Sequence, residues 1–143
     1  MKKIVRSICI LLIMAILFSV PVHAEEQSTW SSSYFASFQL YIRYTGTQVR
    51  IWFDLTGTRV MDTLGVSEIV LERSVNNATW TTVKTYSPDD YPQMLEYNTA
   101  SCVNHVTYEG SRYYYYRAYI TLYAKSGSGQ ATMCRYTSPV RVE

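Results

Sequence analysis

Side chains able to do acid–base or metal chemistry are sparse in this chain. Of its two histidines, His23 sits in a leader-like N-terminal run and His105 stands alone. One imidazole without a second cannot complete a zinc shell or a proton relay, so His105 reads as a strand-surface residue. Asp89, Asp90 and Glu96 gather carboxylates. A calcium loop, however, supplies about six or more oxygens at a tight spacing this run does not match, and a solvated acidic turn is expected instead. The many serines and threonines occur in no nucleophile-elbow motif. Paired-carboxylate hydrolysis needs two acids facing one cleft, whereas Asp54, Glu68 and Glu72 alternate onto the outward faces of short extended runs. The sequence therefore points to no catalytic residue, no metal and no cofactor.

Cysteine chemistry has one candidate. Cys9 lies in the apolar leader, which leaves Cys102 and Cys134 with a single possible pairing across 32 positions. A bridge there is worth roughly 3–4 kcal/mol by chain entropy before strain is deducted. Two buried thiols are the other reading.

The elements that must position these residues follow from the hydrophobic pattern. Lys2, Lys3 and Arg6 precede an apolar run from Ile8 to Val20, and Val22-His23-Ala24 is a small-residue cleavage pattern. Residues 1–24 therefore read as a bacterial signal peptide cut before Glu25, the apolar run being shorter than the ~18 residues that cross a bilayer. Residues 25–36 form a polar segment and residues 37–143 one domain. Secretion is expected, with no membrane attachment after cleavage. The leader takes three basic side chains and no acidic one, leaving ten basic against eleven acidic residues, a net charge of about −1. Without a positive field, nucleic acid is excluded as a partner.

Beyond residue 37 apolar and polar residues alternate in short stretches, and no window holds a helical repeat. Phe38, Leu40 and Ile42 share one face, Thr45-Gly46-Thr47-Gln48 is a hairpin turn, and Val49, Ile51, Phe53 and Leu55 answer on the next strand. A connection is expected over Gly57–Gly65, then strands over Val66–Arg73 and Thr79–Tyr86. An irregular stretch should run over Ser87–Ser101, with a helical turn at Gln93–Tyr97. Strands over Val103–Tyr108, Arg112–Ala124 and Ala131–Val142 complete the set, the last broken at Pro139. About seven strands at this spacing make an all-β fold, a two-sheet antiparallel β-sandwich.

Alternation along the strand from Arg112 turns Tyr114, Tyr116, Ala118, Ile120 and Leu122 inward and leaves Tyr115, Arg117, Tyr119, Thr121 and Tyr123 outward. Outward tyrosines offer contact area for a sugar ring or a protein partner. They also serve simple cross-strand packing, here against Lys84 and Tyr136. Trp52 and Tyr41 form a second outward pair on the opposite sheet, open to the same two readings.

The run Tyr113–Ile120 resembles the sixth strand of fibronectin type III domains, whose pattern is a tyrosine, any residue, an aromatic or aliphatic residue, then Arg-Val-x-Ala, with Tyr114 at the tyrosine-corner position. Ile69–Ser74 followed by Trp80 resembles the third strand of that family and its hairpin partner, and Phe53 takes the place of its buried second-strand tryptophan. The chain is also similar to secreted proteins of clostridia in which strings like Thr79–Tyr86 and Tyr116–Tyr119 recur. The resemblance implies a fibronectin type III-like, immunoglobulin-like sandwich with Cys102 and Cys134 near one end. It implies a non-catalytic secreted domain that binds or adheres through a sheet face, its partner a protein or a glycan; the alternative is a carbohydrate-binding module using the outward tyrosines.

Overall fold

The computed structural model of the chain describes residues 33–143; the expected signal peptide and the start of the polar segment lie outside them. The described residues form an all-β fold, one antiparallel sheet curled around its own apolar face. β1 (Phe35–Thr45) begins inside the expected polar segment and turns through Gly46-Thr47 into β2 (Gln48–Ser74). Gly46 takes φ 60°, the left-handed value that a two-residue hairpin turn requires at its first position. The turn fixes the register as Thr45 opposite Gln48 and, farther up, Tyr41 opposite Trp52.

β2 dominates the architecture. Its 27 residues would reach roughly 90 Å if straight, far beyond a domain of this size, so the strand must bend. Its first part lies between β1 and β4 (Leu95–Glu109), its last part between β3 (Thr81–Tyr86) and β5 (Tyr115–Ser126). Irregular pairing between Thr56 and Met61 and a bulge between Val66 and Glu68 mark the curl. Across them the inward set passes from Val49, Ile51, Phe53 and Leu55 to Leu64 and Val66, then to Ile69 and Leu71, every one fully buried. Gly65 has φ 153°, and a β-carbon there would lie 2.1 Å from the Met94 carbonyl oxygen. Only glycine fits where that backbone crosses β2.

The expected connection over Gly57–Gly65 is thus strand, because Met61–Gly65 pairs with Leu95–Thr99 on one edge while Thr63–Gly65 meets Tyr123–Lys125 on the other. The same pairing shortens the expected irregular stretch. A 3₁₀ turn occupies Pro92–Met94 instead of Gln93–Tyr97, and β4 starts at Leu95. β6 (Gly129–Tyr136) and β7 (Val140–Arg141) continue along β5, separated at Pro139 as the sequence predicts. The core joins both parts of β2 to Tyr116, Ala118, Ile120, Leu122 and Ala124 of β5.

β5 begins three residues later than expected. Tyr113 has φ 68°, its N–H donates to the Val142 carbonyl, and the Val142 N–H donates to the Tyr114 carbonyl. The first ring sunk fully into the core is therefore Tyr116, whose hydroxyl accepts a 2.7 Å bond from the Ser111 N–H. A hydroxyl back-bond of the kind expected of Tyr114 is thus made by Tyr116, two residues along.

Candidate functional site

Two outward faces carry the aromatic residues singled out from the sequence. On the face of β1, β2 and β4, the registers set Tyr41 opposite Trp52 and Trp52 opposite His105. The Trp52 and His105 rings stack at 4.3 Å between centroids and 28° between planes; Tyr41 follows at 6.2 Å and 17°. His105 is a surface residue as expected, with its ring committed to Trp52. Trp52 is thereby flanked by a stacked ring from each neighbouring strand.

Beside this row runs a second one. Arg43 lies directly opposite Arg50, and Arg50 opposite Thr107. Like charges in that position repel, and neither guanidinium has a carboxylate partner among the described residues. Arg43 lies 4.9 Å over the Tyr41 ring. Arg50 donates from Nε and Nη2 to the Gln48 Oε1 at 3.0 and 2.8 Å, which aims the group without neutralising it. The arginine pair was not singled out from the sequence, although the hairpin turn that pairs Tyr41 with Trp52 pairs Arg43 with Arg50 by the same register.

On the face of β5, Tyr115, Arg117, Tyr119, Thr121 and Tyr123 all point outward and are half-buried. Each tyrosine is engaged. Tyr115 lies 5.7 Å from the Arg141 guanidinium, the Tyr119 and Tyr136 rings meet at 4.8 Å, and the Tyr123 hydroxyl donates to Gln130. Hydrogen bonding with the Cys134 thiol, then its charge, hold the Tyr119 hydroxyl above its ordinary pKa. Arg117 lies 4.3 Å over both the Trp80 and Tyr136 rings and pairs with Glu72 at 2.6 Å. Lys84 belongs elsewhere, over Tyr86 and Tyr91.

Cys102 and Cys134 are free thiols, not a bridge. Cys102 pairs with inward Leu55 and Cys134 with outward Thr121, and directly opposed residues share a face. The two sulfurs thus lie on opposite faces of the sheet, where bridging geometry is out of reach. Burial, with the charges of Glu96 and Asp54 adding to it, pushes the Cys102 thiol up to about 12, so it holds its proton. Asp89 and Asp90 are exposed in the turn after β3. Among the described residues no group of three histidine, cysteine, aspartate or glutamate side chains is placed to hold a metal ion.

A third feature lies at the end of β2. A recess of about 280 Å³ is lined by Arg73, Ser74, Val75, Thr79, Thr81 and Tyr114. The Arg73 guanidinium lies 4.4 Å over the Tyr114 ring. No family description, curated protein or solved structure matches this chain.

Proposed function

We propose that the chain is an exported, non-catalytic binding domain of the fibronectin type III-like kind, and that it meets a protein partner through the outer face of β1, β2 and β4. The observation that carries this reading is the arginine pair, Arg43 and Arg50, uncompensated and directly beside the Tyr41–Trp52–His105 row. Tryptophan, tyrosine and arginine are the residues that dominate binding energy at protein interfaces. Two repelling cations cost the fold a little stability, and an acidic partner recovers it. The family reading is supported by the strand groups, β1, β2 and β4 against β3, β2, β5 and β6, and by the Tyr116 corner bond. Family likeness argues by association only; the face argues by chemistry. Export rests on the leader, and an exported protein whose first residue is Glu25 is its direct check.

Baits of the exported protein test the face. A partner held by the unaltered protein is expected to be lost from Trp52→Ala and Arg50→Glu baits, each by tenfold or more in affinity, and kept by Tyr119→Ala. The second reading, glycan binding by Tyr115, Tyr119 and Tyr123, requires polysaccharide retention that Tyr119→Ala abolishes. The engagement of all three rings with neighbouring side chains favours the first.

A further inference from the structure

We propose that the recess beside Arg73 binds a sugar acid, a single hexuronate-type ring whose carboxylate pairs with the Arg73 guanidinium. The placement of the cation is the starting point. Along the last part of β2, Ile69 and Leu71 point into the core, Glu72 points out and pairs with Arg117, and Arg73 returns to the inward side at the strand's end. A half-buried charge on the core side of a sheet is costly unless something pairs with it. Arg73 has no ion pair and no side-chain hydrogen bond among the described residues; its contact is the Tyr114 ring. Stacking holds the guanidinium plane still, with a fork of N–H donors available to a planar anion.

The rest of the recess sets the class of ligand. The hydroxyls of Thr79, Thr81 and Tyr114 have no protein partner among the described residues, while that of Ser74 is spent on Asn76. The Asn76 side-chain oxygen also accepts from the Ala78 and Thr79 N–H groups at 3.0 and 2.9 Å, so the wall carrying Thr79 is formed before any ligand arrives. Val75, 67% exposed, adds an apolar wall. An inorganic anion would satisfy the guanidinium and leave three hydroxyls and the valine unmatched. The 280 Å³ volume is near the lower end of small-molecule sites, roughly 300 Å³, which suits one hydroxylated ring. This site lies apart from the β1–β2–β4 face and stands whether or not that face binds a partner.

The test is a nuclear magnetic resonance titration of the purified protein with glucuronate, glucose, acetate and inorganic phosphate. Saturable shifts at Arg73, Thr79 and Thr81 are expected with glucuronate, at a Kd at least tenfold below those for the other three. Arg73→Gln should raise that Kd tenfold or more, and Arg73→Lys should also raise it because the planar fork is lost. Thr79→Val with Thr81→Val should weaken glucuronate and leave acetate unchanged. A galacturonate trimer binding more tightly than the monomer assigns the ring to a polysaccharide; equal affinity assigns it to the free acid. Glucose binding as well as glucuronate, acetate or phosphate matching it, or no saturable shift at those residues overturns the proposal. Should Arg73→Gln fail to fold, the four-ligand comparison on the unaltered protein still decides.

Discussion

Arg117 has three partners at once: the faces of Trp80 and Tyr136, each 4.3 Å away, and the Glu72 carboxylate at 2.6 Å. A lysine keeps the charge but loses the flat guanidinium that both rings cover. Arg117→Lys is therefore expected to cost on the order of 1–2 kcal/mol, read from the denaturation midpoint. Glu72→Gln, which removes only a partly solvated ion pair, should cost less than about 1 kcal/mol. Equal losses from the two would mean that the rings contribute nothing. Arg43, Arg50 and Arg73 present the opposite situation, cations with an aromatic or amide neighbour and no anion. The contrast separates an arginine that stabilises this fold from arginines available to a ligand.

Among the elements, β4 pairs with β2 along one edge, and no strand of the described residues covers its other edge. Such an edge is a template for pairing with a second chain. Here side chains occupy it. Thr99 Oγ1 accepts from the Ser101 N–H and donates to the Ser101 carbonyl, Asn104 Oδ1 accepts from the His105 N–H, and the Tyr86 hydroxyl donates to the Thr107 carbonyl at 2.8 Å. Replacing Thr99 with Val and Asn104 with Ala together frees two edge N–H groups. The double variant should lose about 1–2 kcal/mol of stability and gain concentration-dependent dimer in sedimentation. A variant that remains monomeric at every concentration would show that the edge is closed by other means. None of this was legible in the sequence, since an edge is defined by which strands are absent beside it. The hairpin of β1 and β2 was legible, because its two-residue turn acts locally. The continuity of β2 through Gly57–Gly65 was not, because glycine and polar residues there read as a loop until β4 and β5 supply partners on both edges.

For the whole molecule, pH couples to burial. Burial, with Tyr91 and Tyr108 adding to it, raises the Tyr86 hydroxyl above its ordinary pKa, and burial raises the Cys102 thiol from 9.0 to about 12. Both groups are neutral when protonated, so the folded state keeps its protons where the unfolded chain releases them. Their contribution is complete below about pH 9 and falls as pH rises from there toward 12. The thermal midpoint should therefore be flat near neutrality and decline above pH 9, with a shallower onset in Cys102→Ala. An identical slope in that variant would sink the assignment to Cys102. From sequence alone came the all-β class, the inward and outward sides of β5, and the Tyr41–Trp52 pair, because alternation and a tight turn depend only on neighbouring residues. The arrival of His105 on Trp52, the separation of Cys102 from Cys134 and the recess at Arg73 belong to the tertiary structure. Each depends on which distant strand lies alongside β2 or β5 and on where a bulge reverses parity, and nothing within a short window of residues specifies either.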